Sequence, residues 1–169
     1  MPDCLSRIYI LLCFLGAGLL QSWAQQNVVL QSNSPDIVYS PALCNTSAID
    51  TGCVSAWQLV NDVPGTTVVA TNGPISQTDY TIPQLFLSFR GSALYLRTSP
   101  FSNASVNFSL TASPSELTIT REVNTSIENI FAVDIPETQT TTLGITYLPG
   151  VSSARFDIEF ITLTVANSR

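Results

Sequence analysis

The chain contains no histidine and no lysine, and only 11% of its 169 residues are charged. Ordinary globular usage is about 25% charged. Each absence removes a class of chemistry. Ser–His–Asp and Cys–His catalysis need an imidazole. Schiff-base catalysis needs a lysine. The five basic residues after the first 24 are arginines (Arg90, Arg97, Arg121, Arg155, Arg169), scattered along a chain of net charge −6. A nucleic-acid surface needs a clustered basic stripe, so nucleic acid is excluded as a partner, and an anionic membrane surface is disfavoured for the same reason. Neither a P-loop nor a G-x-G-x-x-G sequence occurs. The missing charge is replaced by Ser and Thr rather than by Gly/Pro repeats, and 45% of residues are apolar. A folded domain is expected, not disorder.

Residues 1–24 read as an export signal. Arg7 precedes the apolar run "IYILLCFLGAGLL", and "SWA" places small residues Ser22 and Ala24 before a cut ahead of Gln25. The run is shorter than the roughly 20 residues a spanning helix needs. With residues 1–24 removed, residues 25–169 form one domain of ordinary size. The mature chain then keeps Cys44 and Cys53, and an even pair in an exported protein is most simply a disulfide. The spacing is not C-x-x-C, and two sulfurs do not close a zinc site. Four sequons, at Asn45, Asn103, Asn107 and Asn124, agree with export. The expected location is extracellular, with no membrane insertion once the signal is removed.

Strand signals fill the rest. Segments such as "IVYS" (37–40), "LFLSF" (85–89), "SVNFSLTA" (105–112) and "TTLGITYL" (141–148) are rich in Val, Ile, Thr, Phe and Tyr and are divided by turn chemistry such as "TNGP" and "TASPS". No segment after Gln25 keeps helical periodicity over three turns. The sequence predicts an all-β antiparallel sandwich or barrel preceded by a signal-peptide helix. Within "QLFLSFRGSALYLR" (84–97), Leu85, Leu87 and Phe89 share one face, and Leu94 and Leu96 oppose Ala93, Tyr95 and Arg97. Phe86 suggests a pair covered on both sides. Gly91 is expected to supply the positive φ of a tight strand-to-strand turn.

Chemistry is left to carboxylates and aromatics. Asp157 and Glu159 lie two apart on a predicted strand, about 6.5–7 Å from each other, at the lower limit for an inverting glycosidase. A polar stretch on a solvated face, or a pair held by Arg155, explains them more simply. Glu159 is the one weak candidate for a calcium ligand; no other cofactor is indicated. A saccharide would be held by exposed aromatics with a few fixed polar groups. The aromatics nearest predicted turns are Trp57, Tyr80, Phe101 and Tyr147, which makes them the candidate ligand contacts.

"LFLSFRGSALYLR" followed by "SVNFSLTA" resembles the pattern of galactose-binding-like jelly-roll domains, in which an F-x-G turn joins two strands. "IFAVDIPETQTTTLGITYL" and the closing "FDIEFITLTV" continue the likeness, and "PDIVYSPA" is similar to the start of fungal secreted or membrane-anchored ectodomains. The likeness spans most of residues 27–166. It departs where no His follows Pro136, no Asp-Gly follows Leu110, and Glu159 replaces Asp. The resemblance implies a jelly-roll sandwich and a non-enzymatic role in extracellular binding or adhesion, with glycans or cell-wall components as partners. A structural surface protein, the ectodomain of a single-pass membrane protein cut short at Arg169, and a carboxylate glycosidase are the alternatives.

Overall fold

A computed structural model describes residues 25–44, 55–63, 66–75, 81–150 and 154–167. The signal segment, Asn45, Cys53 and Tyr80 lie outside these residues. Twelve strands and no helix occur among them. A four-stranded antiparallel sheet has the order β1 (Gln25–Gln31), β12 (Phe160–Ala166), β6 (Ala93–Arg97), β9 (Ile130–Ala132). A five-stranded antiparallel sheet has the order β2 (Ile37–Ser40), β5 (Gln84–Phe89), β10 (Thr140–Tyr147), β7 (Ser105–Ser113), β8 (Leu117–Asn124). A third, smaller sheet orders β11 (Phe156–Ile158), β4 (Thr66–Thr71) and β3 (Gln58–Val63). The fold is an all-β antiparallel sandwich.

Alternation builds the core. Leu85, Leu87 and Phe89 of β5 point inward, as do Leu94 and Leu96 of β6, Val106, Phe108 and Leu110 of β7, and Leu143 and Ile145 of β10. With Ile161 and Leu163 of β12 they form one contiguous cluster. Each such side chain contributes roughly 1.5–3 kcal/mol by leaving water. Trp57, Tyr39 and Phe156 close one end, with ring centroids 5.0 Å apart for Tyr39–Trp57 and 6.1 Å for Trp57–Phe156.

Several expectations change here. "FDIEFITLTV" breaks at Glu159 and feeds two sheets. The stretch 84–97 is not a tight hairpin either: β5 pairs with β2 and β10, whereas β6 pairs with β12 and β9, so the chain crosses from one sheet to the other at Arg90–Ser92. The outer side chains Phe86 and Tyr95 are therefore exposed, not covered. Gly91 is not among the positive-φ residues; Gly73 is the glycine that adopts φ +97° among the described residues.

Tyr39 supplies a pH-dependent element. Its hydroxyl donates to the Ser32 carbonyl at 2.6 Å, and burial pushes its phenol well above the ordinary value. The folded state thus keeps a proton that the unfolded chain gives up near pH ~10. Stability from this group is intact below about pH 10 and is lost as pH rises beyond it. Urea midpoints should be flat to about pH 9 and fall above about pH 10, and Tyr39→Phe should make that fall shallower. Equal slopes for the two proteins would remove Tyr39 as the cause.

Candidate functional site

The sequence-predicted carboxylates do not face a common groove. Asp157 is fully buried, with its Oδ2 3.0 Å from Arg155 Nε and accepting from Ser99 Oγ at 2.6 Å, while its Oδ1 accepts from the Ser99 N–H at 2.7 Å. This corrects the expectation of a solvated face, and of the two carboxylates expected on Arg155 only Asp157 is held there. Glu159 turns to a different cation, Arg97, at 2.9 Å. Two carboxylates neutralised by two separate arginines are not placed to attack and protonate a sugar from opposite sides. Arg97 also occupies the carboxylate proposed as a calcium ligand, and no group of three or more Cys, Asp or Glu side chains suited to a metal occurs among the described residues.

The predicted aromatics also separate. Trp57 and Tyr147 are buried, at 1% and 3% exposure, and this overturns both as ligand contacts. The Trp57 indole donates to the Ser40 carbonyl at 3.2 Å, and the Tyr147 hydroxyl donates to the Ala154 carbonyl at 2.9 Å. Both seal the sandwich. Phe101 is exposed, with the Arg155 guanidinium 5.8 Å from its ring centre. Cys44 is disulfide-bonded. Asn103 is on the surface and its Oδ1 accepts from the Arg155 N–H at 2.7 Å, whereas Asn107 and Asn124 are half-buried at strand positions.

A different set of aromatics is brought together on the outer face of the four-stranded sheet. In the ladder, Val29 pairs with Thr162, Thr162 with Tyr95, and Tyr95 with Phe131. All four point outward, because Leu94, Leu96, Ile130 and Ile161 take the inner positions. Val29, Tyr95 and Phe131 are exposed. Side chains directly opposite across a ladder have Cβ atoms about 5 Å apart, so Tyr95 and Phe131 lie side by side. One row along, Phe160 pairs with Arg97, whose guanidinium sits 5.7 Å from the Phe160 ring centre. On the other side, Thr164 Oγ1 donates to Asn27 Oδ1 at 3.0 Å. The face is thus an aromatic row with Arg97, Thr162, Thr164 and Asn27 around it. The "ALYLR" alternation already put Tyr95 opposite the leucines. Its partner Phe131 could be found only from the register of β6 against β9.

A second feature lies at the sheet's far edge. The five-stranded sheet extends one strand past the cover that three-residue β9 provides. Leu117 and Ile119 of β8 point to the inner side yet remain exposed. An apolar cleft of about 510 Å³ results, walled by β8 on one side and by residues 129–136 on the other.

No family model matches the sequence, and no curated protein matches it. Among solved structures, a family two carbohydrate esterase from Cellvibrio japonicus is similar over 85% of this chain at 10% identity and TM-score 0.54; this chain covers 35% of that protein. A carbohydrate binding module of family 29 is similar over 85% of this chain and 90% of its own, at 15% identity and TM-score 0.47. A mutant of such a module complexed with cellulohexaose is similar over 84% of this chain and 92% of its own, at 14% identity and TM-score 0.46. The esterase likeness supports the β-sandwich fold.

Proposed function

We propose that the chain is an exported, N-glycosylated, non-catalytic binding module that holds a saccharide on the outer face of its four-stranded sheet. The observation that carries this reading is the row Tyr95–Phe131, two exposed aromatics in ladder register with hydrogen-bonding side chains on both flanks. A pyranose offers an apolar C–H face and a rim of hydroxyls. The rings receive the first, and Thr162, Thr164, Asn27 and Arg97 meet the second. The row crosses four strands, about 14 Å at ordinary strand spacing, which suits an oligosaccharide laid across the strands. Export rests on the signal-like residues 1–24, glycosylation on the sequons, and a Cys44–Cys53 bond on the paired cysteines of the mature chain. Extracellular or cell-wall glycans are the corresponding partners.

The test is a glycan array probed with secreted protein, with and without calcium, followed by titration of the best soluble oligosaccharide. Tyr95→Ala should weaken that binding about tenfold or more, since a stacking ring is lost, without moving the unfolding midpoint by more than ~0.5 kcal/mol, as is usual for an exposed site. Tyr95 is the informative position because Phe131 also borders the cleft. Unchanged affinity in Tyr95→Ala, or an array with no binder, would overturn the proposal.

A further inference from the structure

The cleft beyond β9 touches the aromatic row only through Phe131, and its chemistry is different. Its floor is the inner face of β7 and β8, where Ala112 pairs with Leu117 and Leu110 with Ile119. Its opposite wall includes Ile130 and Ile135. The lining is mainly apolar; Ser115, Arg121, Asn129, Asp134 and Gln139 also border it, and one further polar group stands apart from them by its burial. Thr141 lines the cleft, is 2% exposed, and its Oγ1 has no hydrogen-bond partner among protein groups. A buried hydroxyl without a partner is disfavoured by its desolvation, and valine would fill the same volume without that cost.

The position of Thr141 gives the site a direction. It stands in the same ladder row as Ala112 and Leu117. It is therefore two strands in from the β8 edge, about 10 Å at ordinary spacing. The hydrogen-bonding group is at the inner end, and the exposed Leu117 and Ile119 are at the mouth. An aliphatic wall extends between them. A cleft of this size is within the usual range for a small-molecule site.

The geometry points to a second binding site that takes a slender aliphatic molecule bearing one terminal hydroxyl or carbonyl, entering polar end first to meet Thr141 Oγ1. The hydroxyl of Thr141 donates to a carbonyl ligand or accepts from an alcohol, and the chain lies along Ala112 and Leu110 towards Ile119. This assignment does not rest on the saccharide reading, since no residue it requires belongs to the Tyr95 row.

Octan-1-ol is a suitable probe, titrated calorimetrically into the intact secreted protein. Thr141→Val should weaken binding about tenfold, the worth of one well-made hydrogen bond. Thr141→Ser should restore it. Ile119→Glu, at the exposed mouth, should abolish it. Thr141→Val should melt at or above the wild-type temperature, because it removes a buried hydroxyl that no protein group meets, so loss of affinity in it cannot be loss of fold. Tyr95→Ala should leave octan-1-ol affinity unchanged, and this separates failure of this site from failure of the saccharide row. The inference is overturned if octan-1-ol does not bind the wild type, if Thr141→Val binds it equally, or if Ile119→Glu leaves it in place.

Discussion

Asp157→Ala should cost about 3–5 kcal/mol, the usual effect of removing one member of a buried ion pair. That is a large share of the 5–15 kcal/mol by which domains are stable. The substitution leaves Arg155 without its carboxylate and leaves two Ser99 donors, the N–H and the hydroxyl, with nothing to donate to. The damage should spread through the loop at 98–104. Its Ser102 hydroxyl accepts from the Asp157 N–H at 3.4 Å, and the Asn103 and Ala104 N–H groups both donate to the Arg155 carbonyl, at 2.8 and 3.0 Å. Arg155 also sits over the Phe101 ring. Asp157 thus ties this surface loop, which carries the Asn103 sequon, to β11. Urea denaturation of the purified variant measures the effect. A loss below about 1 kcal/mol, the level of an ordinary surface change, would show that the carboxylate is not the anchor described.

The strands were legible because each half-buried one writes its two faces into a period of two. "ALYLR" and "SVNFSLTA" have buried faces that the alternation alone identifies. Pairing was not legible to the same degree. Alternation tells which side of a strand is apolar but not which strand lies beside it, so β5 and β6, joined by three residues, read as a hairpin although they belong to opposite sheets. The same gap explains the site. Nearness to a turn is a poor guide to exposure, because loops at the ends of a sandwich need large rings to close the core. Trp57 and Tyr147 do that, each with its polar tip on a backbone carbonyl. Tyr95 and Phe131 are ordinary strand residues 36 apart in sequence (131 − 95), and only the β6–β9 register makes them neighbours. The Thr141 hydroxyl was invisible for a further reason. Alternation with Leu143 and Ile145 puts Thr141 of "TTTLGITYL" on the inner face, but whether its buried hydroxyl has a partner depends on side chains far away in the chain.

Gly91 should tolerate no side chain, for a reason other than the one its sequence context suggests. A Cβ built there would lie 2.5 Å from the Thr164 carbonyl oxygen and 3.3 Å from Val165 Cγ1. The oxygen cannot easily retreat. It accepts the Ser92 N–H at 2.8 Å, and it belongs to β12, which is held between β1 and β6. Gly91→Ala should therefore cost about 2 kcal/mol, and Gly91→Val about 3 or more, as forced overpacking against fixed neighbours does. Gly144 offers the contrast. The nearest atom to a Cβ there is Ser109 Oγ at 2.7 Å, the end of a side chain that can rotate away, so Gly144→Ala should cost about 1 kcal/mol or less. A third variant separates the two explanations for Gly91. If a left-handed backbone were the requirement, asparagine would be the mildest replacement, because it visits that region at little cost. If the requirement is room beneath the Thr164 carbonyl, Gly91→Asn carries the same offending Cβ and should be at least as costly as Gly91→Ala. Denaturant midpoints of the purified variants decide it: asparagine clearly milder than alanine would return the explanation to backbone conformation and would contradict the close approach of β12 to the crossing between the sheets.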